Sequence, residues 1–327
     1  MRVLKGLALL VSFVAALGAG RAYGQTFKYK SAGFLKPTAI SSSGATAGYF
    51  CCAYVGGFDG PQGTPHAFSL KGLQFKVSEP MGSDSSFASA IGSNGDVVGG
   101  YCPANTGGCV PGAANDGYLF TAVDNSTQSI DVPGALATVA SGINKAGQIV
   151  GSYCDASTCE TFDGGGKGFL LDKIGGTFTT IDFPGAVHTA AAAINDAGVI
   201  VGNYAACKTQ AETSTARSSG TSSAQRAPCQ GQQLHGFQLS GGAYSTIDPP
   251  GSISTNVGGI NNSGEVVGSY LDGNNRTHGF LLNAGAFTIV DFPGTSITEI
   301  NGVNDQGQIV GFALVGNVYD YFIGTPQ

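Results

Sequence analysis

The chain has 327 residues, a formal net charge of −6, 53 glycines and only 11% charged residues. An acidic, weakly charged surface disfavours nucleic acid and anionic membranes as partners. Abundant glycine with few charges suits short strands and tight turns rather than helices.

Residues 1–24 read as a cleaved signal peptide. Arg2 and Lys5 form a basic start, "GLALLVSFVAALGAG" is an apolar core too short to span a bilayer, and "AYG" offers a small-x-small cleavage site before Gln25. No Cys follows to carry a lipid anchor, and no later stretch is apolar enough for a transmembrane helix. The expectation is an exported protein, secreted or periplasmic, with residues 25–327 as one domain. Cleavage removes three positive charges and no negative ones, so the net charge of −6 becomes −9. All eight cysteines remain, an even number in an oxidising compartment, and disulfides are expected.

A short phrase then recurs. "INKAGQIVGSY", "INDAGVIVGNY" and "INNSGEVVGSY" share one pattern, and the second Gly of "GxxVG" falls at Gly48, Gly99, Gly151, Gly202, Gly268 and Gly311. Six units of about fifty residues follow, with one insertion and one shortening. Each unit reads as four strands. In the fourth unit these are "TAAAAIN", "VIVGNY", "HGFQLS" and "AYSTID". Asn, Asp and Gly in the first turn are expected to supply positive-φ positions for a tight hairpin. Val, Ile, Phe and Tyr between turns fit strands.

Six four-stranded antiparallel units predict an all-β fold, a six-bladed β-propeller. The sixth unit stops after its third strand, "VYDYFIG", while "TFKYK" at the N-terminus matches the fourth strands "TFTTID" and "AFTIVD". The N-terminal strand is therefore expected to complete the last blade. First strands rich in Ala, Ser and Gly would line the channel, where larger side chains would hold the blades apart.

"HAF" at His66 to Phe68 recurs as "HGF" at His235 and His278. With "INxxGxIVG", the chain resembles the bacterial HAF-repeat extracellular proteins over nearly its whole mature length. Three units depart from the motif, placing Asp116, Lys167 and Tyr319 near the His position. The resemblance implies an exported repeat protein and assigns no activity to particular residues.

Residues that break the repeat are the candidate ligand-binding positions. Aligned on "T…GIN", the first strands bring Lys36, Phe87, Val139, Ala190, Asn256 and Glu299 to one position. Lys36, Asn256 and Glu299 are polar, belong to blades adjacent round a closed ring, and have Asn301 nearby. They form either a polar binding cluster at the channel mouth or a Lys36–Glu299 ion pair at the closure seam. His188, read as part of a blade-to-blade connection, is a weaker candidate. The recurring Asp131, Asp182, Asp248 and Asp291, with Glu79, are expected to accept backbone hydrogen bonds in Pro-Gly turns. No metal site, cofactor or catalytic residue is predicted.

Loops between second and third strands are expected to carry disulfides 102–109, 154–159 and 207–229, the last pinching a mobile insertion over 205–234. Cys51 and Cys52, adjacent in "FCCAY", are expected to bond to each other and to present a platform beside Tyr49, Phe50 and Tyr54, and Tyr54 and Phe58 are the candidate exposed aromatics of that loop. The functional expectation is a monomeric binding scaffold for an extracellular glycan or protein. The alternatives are a hydrolase or lyase acting on polysaccharide or lactone-like substrates in the channel, and a structural envelope or matrix protein.

Overall fold

The computed structural model describes residues 27–32, 35–51, 65–103, 116–155, 166–207 and 232–327. The strand β1 (Phe27–Ser31) opens the chain. Blade one is β2 (Lys36–Ile40), β3 (Thr46–Cys51), β4 (Pro65–Lys71) and β5 (Gln74–Val77); blade two is β6 (Ser85–Ile91), β7 (Val97–Cys102), β8 (Asp116–Thr121) and β9 (Ser126–Ile130). Blade three is β10 (Ala137–Ile143), β11 (Ile149–Cys154), β12 (Lys167–Leu171) and β13 (Phe178–Ile181); blade four is β14 (His188–Ile194), β15 (Ile200–Cys207), β16 (Gln232–Ser240) and β17 (Ala243–Ile247). Blade five is β18 (Ser252–Ile260), β19 (Val266–Asp272), β20 (Thr277–Asn283) and β21 (Ala286–Val290); blade six is β22 (Thr298–Val303), β23 (Ile309–Val315) and β24 (Val318–Pro326), completed by β1. Six four-stranded antiparallel sheets form a ring, the expected six-bladed β-propeller. Among the described residues, no helix is long and apolar enough to cross a membrane.

The repeated glycine exists because two neighbours leave no room for a side chain. A Cβ at Gly151 would stand 2.0 Å from the Val139 carbonyl oxygen and 2.8 Å from the Phe169 ring, and the five equivalent glycines meet an inner-strand carbonyl in the same way. Each is paired with a third-strand aromatic that is completely buried, as Phe237 is opposite Gly202 and Tyr118 opposite Gly99. Two residues beyond that carbonyl, every inner strand carries a one-residue bulge. The bulged residues Thr38, Ser89, Ser141, Ala192, Gly258 and Asn301 line the central channel. Most are small, as the crowding there demands.

The "IN" asparagines work differently from the expectation. Only the turn glycine takes positive φ, as at Gly198 (76°), while Asn195 and Asp196 do not. Asn195 Oδ1 instead accepts from the Ala197 and Val199 amides, closing its own turn. Its Nδ2 donates to the Asn261 carbonyl of the next blade. Asn144 donates likewise to Asn195, Asn261 to Asn304, and Asn304 to Ser41. The motif is thus a turn cap and an inter-blade staple at once.

Two further expectations are corrected by the strands. His188 is the first residue of β14, paired with Ala205, not part of a connection. The 205–234 insertion begins and ends as paired strand, with Ala205, Ala206 and Cys207 opposite Leu234, Gln233 and Gln232; its interior lies outside the described residues.

Five buried apolar clusters hold the blades together among the described residues, one at each interface between blades consecutive in sequence. The interface between blade six and blade one has no cluster of that kind, although Phe68 and Val310 are fully buried. Among the described residues it is also the most sparsely packed of the six.

Candidate ligand-binding site

The recurring histidine serves the repeat. His66 Nδ1 lies 3.0 Å from Glu79, His235 Nδ1 2.7 Å from Asp248, and His278 Nδ1 2.8 Å from Asp291. His235 and His278 also stack on Tyr204 and Tyr270 of the second strand. Blade three replaces the histidine by Lys167, which pairs with Asp182 at 3.3 Å. The "IDxPG" carboxylates therefore answer a third-strand side chain; the turn amides of Phe183 and Phe292 are taken by Thr189 and Thr298 instead. In blade six the register puts Asp320, not Tyr319, at the histidine position, opposite Ala313, where it accepts from Ser31. Blade two places Asp116 there; burial, then the neighbouring Asp131, push its carboxyl up.

One row of residues above the channel bulges breaks the repeat far more strongly. It crosses the first three strands of each blade. In blades two to five it reads Phe87–Gly100–Gly117, Val139–Ser152–Gly168, Ala190–Asn203–Gly236 and Asn256–Ser269–Gly279. The third member is Gly because the fourth strand and the next blade both come close: a Cβ at Gly236 would stand 2.5 Å from Val257 and 2.7 Å from the Ile247 carbonyl oxygen, and one at Gly279 2.4 Å from the Val290 carbonyl oxygen and 2.7 Å from Ile300. Blade one keeps a small residue there, in the row Lys36–Tyr49–Ala67. Blade six reads Glu299–Phe312–Tyr321. A tyrosine thus stands where the other blades need glycine or alanine, at the one interface that lacks a large apolar cluster. It fits because the fourth-strand neighbour, Ile or Val in blades two to five, is Ala32, whose amide bonds to the Tyr321 carbonyl.

Lys36 and Glu299 meet at this seam without pairing. The ion pairs of the described residues do not include them. The Lys36 ammonium lies 5.2 Å from the Tyr49 ring centroid and 5.6 Å from that of Tyr321, a cation–π arrangement across the two blades. Glu299 is half-buried, and burial pushes its carboxyl up. Burial also raises Tyr321, with smaller contributions from Tyr49, Tyr319 and Glu299. Phe312 packs edge-on against Tyr319 at 5.4 Å and tilted against Tyr321 at 5.7 Å. The result is a group of partly exposed aromatic rings with one ammonium and one carboxylate.

The other predicted site residues are dispersed. Asn256 is held by Asn203 Nδ2 at 3.0 Å, at the interface of blades four and five. Asn301 lines the channel. His188, in blade four, has a buried Nδ1 without a hydrogen-bond partner, and burial lowers its pKa. Cys52, Tyr54 and Phe58 lie outside the described residues, as do Cys109, Cys159 and Cys229; Cys51 closes β3, its backbone opposite Pro65. Cys102, Cys154 and Cys207 are not free thiols. Sequence reasoning missed Tyr321 and Phe312. The signal was the pair "YF" at 321–322, where blades two to five write "GY" or "GF".

No family model and no curated protein matches the chain. Among solved structures, TolB from Acinetobacter baumannii is similar over 88% of this chain and 64% of its own, with 10% identity and a TM-score of 0.50. This chain thus spans less than two thirds of that protein's length. The β-propeller domain of the Trilobed protease from Pyrococcus furiosus matches over 89% and 82%, with 8% identity and a TM-score of 0.44. A putative gluconolactonase matches over 68% of each chain, with 16% identity and a TM-score of 0.37. At such identities the likeness speaks for the fold alone.

Proposed function

We propose that this chain is an exported binding scaffold that holds an extracellular ligand at the seam of blades six and one. The observation that supports this reading is the substitution of Tyr321 for a packing glycine, together with Lys36 and Glu299 beside it, which form no ion pair among the described residues. Repeat symmetry favours a small residue there, and a propeller built only for stability gains nothing from opening one interface. Binding sites on repeat scaffolds arise where the repeat is broken on a rigid frame. The resemblance to HAF-repeat extracellular proteins and the leader-like residues 1–24 support export.

The test compares the mature protein with Lys36→Ala/Tyr321→Gly on a glycan array and in a pull-down against secreted proteins. Melting temperature checks that the variant is folded. The expected result is a ligand captured by the parent and lost by the folded variant. A ligand held equally by both would overturn the seam as the site.

A further inference from the structure

Resting on the seam as the binding site, we infer that it takes the pyranose ring of a neutral glycan. Three features of the seam select this class.

The first is the pair of unmatched polar groups. Among the described residues no hydrogen-bond donor reaches the Glu299 carboxylate, and no acceptor reaches the Lys36 ammonium, which only the Tyr49 and Tyr321 rings face. A ligand entering here must donate to one and accept from the other. A hydroxyl does both, so a vicinal diol satisfies the site with two neighbouring groups. A carboxylate ligand is acceptor-only and brings like charge against Glu299.

The second is charge. Lys36 and Glu299 cancel locally, while the chain as a whole carries −6. That field repels polyanions such as polyuronates and leaves a neutral sugar unaffected.

The third is shape and access. Phe312, Tyr319 and Tyr321 form a tilted and edge-on aromatic group, and Tyr319 is 55% exposed. Such rings pack against the C–H faces of a pyranose without needing a charge. In blade six the second and third strands join through two residues, Gly316 and Asn317, and in blade five through four. The other four blades have longer segments at that position. On its blade-six side the seam is thus bordered by a two-residue turn.

The experiment is isothermal titration of the mature chain with three probes. These are neutral hexo-oligosaccharides of β-1,4, β-1,3 and α-1,4 linkage, oligouronates of equal length, and a set of secreted-type peptides. The expected result is saturable binding of a neutral oligosaccharide that changes little with salt. Glu299→Gln and Tyr321→Gly should each weaken it about tenfold, as the loss of one charge-assisted hydrogen bond or one stacking face implies. Both variants are checked for folding by thermal melting. Binding only of oligouronates or peptides, abolished by Tyr321→Gly, would overturn the neutral-glycan inference and leave the seam as the site. Binding of a neutral oligosaccharide indifferent to both variants would overturn both. No binding of any neutral oligosaccharide overturns the inference.

Discussion

Glu299 is a carboxylate that the fold buries by half and does not balance. Burial disfavours its charged form, so the folded chain holds the proton more tightly than the unfolded one. Stability from this group is complete below the unfolded value near 4.5 and declines as pH rises through the higher folded value. Glu299→Gln should therefore melt above the parent at pH 7, and the gap should close by about pH 4. Thermal melts at both pH values check this; a variant that melts below the parent at pH 7 would mean that Glu299 has a stabilising partner. The residue scale is also where sequence reading reached least far. The unusual position of Glu299 and Lys36 was legible because both break a repeated pattern. Their environment was not, since Tyr321 was hidden by a one-residue offset: the histidine position had been matched to Tyr319, and the register places Asp320 there.

Among elements, β1 carries the closure of the ring. It pairs along its whole length with β24, from Phe27 opposite Pro326 to Ser31 opposite Phe322. Phe27 and Tyr29 are buried, and Tyr29 packs against Phe292 at 4.9 Å and Phe322 at 5.0 Å. Removing residues 25–31 should lower the urea midpoint sharply, because it unpairs β24 and uncovers the cluster between blades five and six. Phe27→Ala alone should cost about 3–5 kcal/mol. An unchanged midpoint in the truncated chain would contradict closure by β1. This element was readable in advance, because "TFKYK" repeats the chemistry of other fourth strands. The asparagine staples were not readable: the bond from Asn195 to the Asn261 carbonyl spans 66 residues, and no local pattern distinguishes it from an ordinary turn.

Over the whole molecule, the ring is uneven. Among the described residues five interfaces are sealed by apolar clusters, while the sixth has buried Phe68 and Val310 without such a cluster, and aromatic rings and one ammonium beside them. Three of the cysteines stand away from that seam. Cys102, Cys154 and Cys207 end second strands in blades two, three and four, away from the seam. Non-reducing peptide mapping should find them joined to Cys109, Cys159 and Cys229 within their own blades. A link between blades would show that the loops are not closed locally. The repeat length and the alternation of strands made the architecture legible from sequence. The inequality of the interfaces was not, because it depends on which side chains face each other across a closure that joins the two ends of the chain.

The asparagine staples also bear on how such a chain can grow. From blade three to blade six, every unit presents an amide on one side and a carbonyl on the other, all pointing in the same rotational sense. Blades one and two carry Ser41 and Gly92 instead, so the series ends at the Ser41 carbonyl. A duplicated unit spliced into that arc would find a matching donor and acceptor already waiting on its two flanks. The same unit placed after blade one would find the Gly92 carbonyl but no amide donor, since Ser41 stands on its other flank. Gain and loss of blades in the descent of such proteins should accordingly concentrate in the stapled arc, while the two unstapled blades persist as the fixed part of the gene.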